Sequence, residues 1–204
     1  MKRLLLIRHA ERPTIPDQEI GNDVALTPQG VQDSMKFGAH LSESVVSISS
    51  SPIARCVQTA KIIADVKGYP EEHIVTCRDL GDPGFVIDDG SVAWSHWQEK
   101  GHEAVNQYLL DGKERWSGFA DLPQAVSDFR EKIRAKLIDS PGGVHVWVTH
   151  DTILAAFASR VLPKSLSLNE WPNFLDYFEV SMNPAGNLMY SYSQHNYLDG
   201  YDCG

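Results

Sequence analysis

Three short clusters in this chain combine residue types able to bind and transfer an anion. They are Arg8-His9, followed closely by Glu11-Arg12; Ser51-Pro52-Ile53-Ala54-Arg55; and Thr149-His150-Asp151. Arginine presents fixed forks of donors that match phosphate oxygens, and such donors stabilise charge as a phosphoryl group moves. An imidazole can attack phosphorus directly and carry the group as a covalent intermediate. Taken singly, each residue also has an ordinary reading. A histidine closing a strand is commonly structural, and a lone arginine is commonly a surface charge.

The elements around the clusters bear on the choice. Residues 3–9 hold an unbroken apolar run that ends at Arg8, the pattern of a strand buried on both faces of a parallel sheet. A polar stretch from Ala10 to Leu26 has no clear period and is long for a connection, so it is a candidate lining for a site. Thr27-Pro28 signals a helix running to about Ser42, and Ser51-Pro52 signals a second through Val66, stopped by Gly68. Short strands are expected at Val45–Ser49 and His73–Cys77. An amphipathic helix is expected over Asp121–Ile138, a buried strand over Val144–His150 and a helix over Asp151–Val161. Tyr177–Met182 and Leu188–Tyr192 read as a terminal hairpin. Arg78–Gly118 is irregular, partly helical around Val92–Leu110, and reads as a small inserted cap.

The expected architecture is one α/β domain over residues 1–204, a three-layer α/β/α arrangement with a mostly parallel sheet. In such sheets ligands bind beyond the carboxyl ends of the strands. All three clusters fall at strand-to-helix junctions on that edge, where the helix opening at Asp151 would add backbone N–H groups. On the residues alone, a phosphoryl pocket and a set of structural residues both remain open readings.

Bulk properties narrow the partners. With 204 residues, 42% hydrophobic and 22% charged, the chain can bury a core. A net charge of −9 argues against nucleic acid or an anionic membrane as main partners. The apolar run near the start is too short for a secretory or membrane segment. Cys56, Cys77 and Cys203 form no CxxC and cannot all pair within the chain, so reduced thiols in the cytoplasm are the simpler expectation.

Four segments together resemble a known family. Leu6-Ile7-Arg8-His9-Ala10-Glu11-Arg12 resembles the Arg-His-Gly signature of the histidine phosphatase superfamily, also called phosphoglycerate mutase-like. Leu26-Thr27-Pro28-Gln29-Gly30 is similar to its Leu-Thr-x-x-Gly segment. Ser50-Ser51-Pro52-Ile53-Ala54-Arg55-Cys56-Val57-Gln58-Thr59-Ala60 is similar to its Ser-Ser-Pro…Arg…Gln-Thr-Ala segment, and Val148-Thr149-His150-Asp151 to its second histidine motif. The resemblance implies that His9 is the phosphorylated nucleophile and that Arg8, Arg55 and His150 complete the phosphate pocket. It implies a small phosphorylated substrate and no cofactor or metal.

Arg12 and the His150-Asp151 pair resemble the acid phosphatase branch, in which the aspartate gives a proton to the leaving alcohol; Asp151 is then the first candidate acid. The other branch takes its acid from a glutamate in the insertion, but the corresponding stretch here is Asp79-Leu80-Gly81-Asp82-Pro83-Gly84, which makes Asp82 the second candidate. The sequence departs from the pattern at Ala10, where glycine is usual, and at Pro13, which follows Arg12 directly. The chain is also much shorter than typical acid phosphatases.

Other residues have plainer readings. His145 has opposite strand parity to His150 and should face away from the site. Cys56 reads as a packed small hydrophobe. His73, His96, His102 and His195 lack metal-ligand spacing, and Trp94 and Trp97 read as packing in the cap. The leading functional expectation is hydrolysis of a small phosphomonoester through a phosphohistidine. A phosphohistidine-protein phosphatase would need an open site. A phosphoglycerate mutase would carry a longer polar segment that Arg12-Pro13-Thr14 does not resemble. A pseudo-phosphatase that only binds a phosphorylated partner would be expected to lack one of the four pocket residues.

Overall fold

The computed structural model describes residues 2–16 and 19–193; His195, Cys203 and the terminal Gly204 lie outside the described residues. The elements run β1 (Lys2–Arg8), α1 (Pro28–His40), β2 (Val45–Ser50), α2 (Ala54–Lys67), β3 (Val75–Thr76), α3 (Gly90–Asp111), α4 (Leu122–Ile138), β4 (Gly143–Thr149), α5 (Asp151–Val161), β5 (Tyr177–Met182) and β6 (Leu188–Ser193).

The apolar run of β1 sets the centre of the sheet. Leu4, Leu5, Leu6 and Ile7 are at most 1% exposed, with Leu4 and Leu6 in one core cluster and Leu5 and Ile7 in another. That is the alternation of a strand covered on both faces. Full burial of such side chains is worth about 1.5–3 kcal/mol each. The strand order is β3-β2-β4-β1-β5-β6. Pairs β1–β4, β2–β4 and β2–β3 are parallel, and only the hairpin side, β1–β5 and β5–β6, is antiparallel. The sheet is therefore mostly parallel, with α1 and α2 on the Leu5 face and α4 and α5 on the Leu4 face.

Local chemistry accounts for most boundaries. Thr27 caps α1 by accepting from Gly30 N, with Pro28 in its first turn. Asp121 caps α4 by accepting from Gln124 N, and Gly68 ends α2 in the left-handed conformation at φ 63°. Three expectations are corrected. The second helix starts at Ala54 rather than Ser51, because Ser51 Oγ accepts from Ile53 N and is spent in a turn before the helix. The strand expected over 73–77 contracts to two residues, since Glu71–His73 forms a 3-10 turn. The cap helix is longer than expected and is broken at Gly101, where φ is 80°.

α3 lies outside α5 and shares a third apolar cluster with it, containing Val86, Tyr108, Phe119 and Ile153. Trp97 packs against this cluster, in keeping with its reading as packing. Among the described residues no helix is long and apolar enough to cross a membrane.

Candidate active site

His9 follows β1 directly and is 2% exposed. Its backbone N–H donates to Thr149 O (2.9 Å), so the ends of β1 and β4 lock the two histidine motifs side by side. The His9 ring meets Ala10 O through Nδ1 (2.8 Å), and Arg55 Nε donates to its Nε2 (3.0 Å). A guanidinium has no lone pair to offer, so Nε2 is the acceptor and Nδ1 carries the proton. Burial, followed by His150, Arg55 and Arg8, holds the His9 pKa well below the ordinary imidazole value; the Ala10 carbonyl opposes this.

The motif residues around His9 tie down the chain that leaves it. Thr59 Oγ1 accepts from Ala10 N (3.1 Å) and donates to Arg55 O (2.8 Å). Gln58 Oε1 accepts from Leu26 N, and Thr27 N donates to Glu11 O. Gly30 is needed because a Cβ there would lie 2.2 Å from Glu11 O. Ala10 replaces the usual glycine without strain: among described non-glycine residues, only Asp82 and Leu175 have positive φ.

Arg55 is the second anchor. Its Nη1 donates to Gly21 O (2.8 Å) and its Nη2 lies 3.4 Å from His150 Nδ1. The opposite ring nitrogen of His150, Nε2, lies 3.0 Å from Ser51 Oγ. With the arginine donating to Nδ1, Nε2 is left to donate to the serine. Burial and then Arg55 lower the His150 pKa to about 3, so at neutral pH both imidazoles are uncharged and the arginines supply the positive potential. Gly81 packs on the same ring; a Cβ there would fall 2.5 Å from it. Thr149 Oγ1 donates to Leu80 O (2.6 Å) and fastens the start of the insertion over the site.

Arg8 completes the pocket. Its Nη1 donates to Pro172 O (2.6 Å), its Nη2 pairs with Asp151 Oδ2 (3.1 Å), and its guanidinium carbon sits 4.2 Å from the centre of the Phe174 ring. Asp151 opens α5 and also accepts from Trp171 Nε1 (3.2 Å). Burial alone would raise its pKa, but Arg8, the indole N–H and the two imidazoles outweigh it and hold the carboxyl at about 2.

The structure thus joins His9, Arg55 and His150 through direct contacts and pairs Arg8 with Asp151, with the Phe174 ring against both His9 and Arg8. Arg12 sits at the edge of this group: Nη1 folds back onto Pro13 O (2.8 Å), while burial and then Arg55 and Arg8 lower its pKa. Asp82 follows Gly81, half exposed, with φ 65° and Arg78 Nη2 3.9 Å from its carboxylate. A non-glycine residue held at that angle is strained, a feature that gathers at functional sites. His145 faces away, between Ser47 Oγ (2.6 Å) and Ser140 Oγ (2.5 Å).

Sequence reasoning missed several neighbours. Ser51 carried a helix-cap signal, which hid its contact with His150. Cys56 is a packed thiol, pushed up to about 12 chiefly by burial, yet its Sγ also lies 3.5 Å from His150 Nε2. Trp171, Phe174 and Asp176 come from the irregular 162–176 connection, which has no periodicity to read.

A model of the histidine phosphatase superfamily, branch 1, matches residues 4–182. Among curated proteins none matches. Similar solved structures include a phosphoserine phosphatase from Entamoeba histolytica in complex with 3-phosphoglyceric acid. It is 19% identical, with 97% of this chain and 100% of that one covered and a TM-score of 0.68. A mycobacterial glucosyl-3-phosphoglycerate phosphatase is 16% identical, with coverage of 94% and 96% and a TM-score of 0.63. The protein histidine phosphatase SixA, complexed with tungstate, is 14% identical, with coverage of 93% and 94% and a TM-score of 0.54. These likenesses are likenesses of fold.

Proposed function

Because the chain belongs to branch 1 of the histidine phosphatase superfamily, we propose that it is a phosphatase hydrolysing a small phosphomonoester through a phosphohistidine at His9. The observation that carries this reading is the hydrogen-bonded state of His9, which puts the ring proton on Nδ1 and leaves the Nε2 lone pair accepting from Arg55 Nε, an interaction that an incoming phosphate would take over. A phosphate dianion draws Arg55 and Arg8 onto its oxygens. The Nε2 lone pair forms the new bond to phosphorus, the bond from phosphorus to the ester oxygen breaks, and the leaving alkoxide takes a proton from a carboxylic acid. Water then attacks the phosphohistidine, giving its proton to the same carboxylate, and the P–N bond breaks to release inorganic phosphate.

Arg8, Arg55 and His150 hold the phosphoryl oxygens, with Arg12 at the rim. For the proton donor we favour Asp82. Asp151 is held ionised by its pair with Arg8. Asp82 follows Gly81, which packs on His150, and belongs to the insertion, from which the resemblance draws the acid; its half-exposed carboxylate is paired only loosely, with Arg78 at 3.9 Å. Asp151 then acts by orienting Arg8. The pocket's own cations supply the charge that a metal would, so activity should survive a chelator. Free thiols at Cys56 and Cys77 support a cytoplasmic location, and the net charge of −9 supports a small-molecule substrate rather than nucleic acid or membrane.

The test is phosphate release from an aryl phosphate and from a panel of phosphorylated metabolites that includes phosphoserine, phosphoglycerates and a phosphohistidine peptide. Release from at least one small ester is expected. No release from any of them would overturn the reading.

A further inference from the structure

The connection between α5 and β5 surrounds one side chain of the pocket. Within six residues it supplies Trp171, whose indole N–H holds Asp151 against Arg8; Pro172, whose carbonyl accepts from Arg8 Nη1; and Phe174, whose ring lies under the Arg8 guanidinium. It also supplies Asp176 O, which accepts from Arg8 N at 2.9 Å. The guanidinium is thereby fixed from three directions, while its Nε remains buried and without a hydrogen-bond partner among the described residues.

The segment is itself held in shape. Asp176 is 4% exposed; its carboxylate accepts from Asn173 N (2.6 Å), and Asp176 N donates back to Asn173 O (3.1 Å). Between them Leu175 takes φ 63° and buries its side chain in the core on the α1–α2 side. A leucine adopts the left-handed region only under constraint. Anchoring Leu175 inward turns Phe174 the other way, to the pocket, where its ring centre lies 5.7 Å from that of His9.

We propose that residues 171–176 are the positioning element for Arg8, and that Phe174 acts on phosphoryl transfer through Arg8 by giving its planar guanidinium a face to rest on. The proposal rests on the reading of this site as a phosphoryl pocket. An unsupported arginine samples many rotamers, and ordering it at the moment of binding is costly. Stacking on a half-buried aromatic ring pre-sets the plane of the fork before phosphate arrives. Phe174 is therefore a positioning residue that need not touch the phosphoryl group.

A double-mutant cycle tests this. Phe174→Leu and the nearly volume-conserving Phe174→Met remove the ring; Phe174→Tyr keeps it. Each is made in the wild-type and Arg8→Lys backgrounds, since an ammonium has no plane to stack. Aryl-phosphate hydrolysis, inhibition by vanadate and Tm are measured. In the wild-type background, loss of the ring should lower kcat/KM about tenfold and weaken vanadate similarly, while Phe174→Tyr stays near wild type. In the Arg8→Lys background the same change should cost less than about twofold. Equal costs in both backgrounds would overturn the proposal. So would ring-less variants within about twofold of wild type, or a fall in Tm with vanadate inhibition unchanged. If Phe174→Leu fails to fold, Phe174→Met decides. A wild-type protein that releases no phosphate would instead sink the functional reading on which the proposal stands.

Discussion

Arg55 Nε donates to His9 Nε2 across 3.0 Å, while Nδ1 of the same ring meets the Ala10 carbonyl. This pairing puts the ring proton on Nδ1 and the lone pair at the arginine fork, so an anion drawn to Arg55 arrives at the lone pair of the proposed nucleophile. His9→Ala should abolish turnover without unfolding the protein. In the wild type, rapid quenching with radiolabelled substrate should trap a phosphoenzyme that is labile to acid and stable to base. A folded His9→Ala variant with near-normal activity would refute the assignment.

Beyond the phosphate-binding role proposed for it, Arg55 holds parts of the site together. It holds the turn over residues 21–24 through Gly21 O and reaches both imidazoles. Arg55→Ala should lower kcat/KM by about two orders of magnitude or more. Arg55→Lys should recover little, because an ammonium cannot serve three directions at once. A loss of only a few-fold, or unchanged inhibition by inorganic phosphate, would count against this role.

How much of this was legible in the sequence follows from where the chemistry sits. Arg8, His9, Arg55, His150 and Asp151 lie at junctions of strongly patterned elements, and pattern fixes such junctions to within a few residues. The partners of Arg8 could not be read. Trp171, Pro172 and Phe174 reach it from a connection whose course depends on Leu175 finding the core, a tertiary contact without local signature. Ser51 was misread because a serine before a proline signals a helix cap equally well whether its hydroxyl faces a backbone N–H or a histidine ring.

Gly81 presses on His150. Its φ of 146° is open to glycine, and a Cβ would stand 2.5 Å from the ring and 2.6 Å from Ser51 Oγ. Gly81→Ala should tilt His150 or lift the insertion, lowering kcat/KM by at least about tenfold, with strain of about 1–3 kcal/mol in stability. Unchanged activity would mean that the insertion does not bear on the histidine.

Acid should destabilise the fold in a defined window. The imidazoles of His9 and His145, both buried, and of His150, partly buried, are depressed chiefly by desolvation, His145 to about 4 and His150 to about 3. The unfolded chain takes up these protons near its ordinary histidine pKa and the folded chain does not, so the unfolded state binds more protons over that interval. The stability is therefore fully present above about pH 6.5 and is lost as pH falls toward 4 and 3. Tm measured from about pH 7.5 to 4 should decline steadily, and His145→Asn should flatten part of the slope without changing activity at neutral pH. A flat Tm profile over that range would contradict the burial of neutral imidazoles.

The proton donor is decided by leaving groups. A phenolate departs without a proton, whereas an alkoxide needs one, so removal of the acid selectively cripples alkyl esters. Asp151 is ion-paired with Arg8 at 3.1 Å and held at about 2, so it is protonated only well below neutrality unless bound phosphate draws Arg8 away. Asp151→Asn would leave Arg8 without its carboxylate partner, and the expected result is a similar loss on aryl and alkyl phosphates, with weaker inhibition by vanadate. Asp82 follows Gly81, half exposed, with Arg78 Nη2 rather than Arg8 near its carboxylate, at 3.9 Å. Asp82→Asn should spare aryl phosphates and reduce alkyl phosphate hydrolysis by about two orders of magnitude. The reverse pattern, with Asp151→Asn alone selective for alkyl esters, would require substrate binding to raise the Asp151 pKa by several units. Activity on alkyl esters would then be strongest in acid and fall as pH rises through that new value, a profile that Asp82→Asn would leave in place.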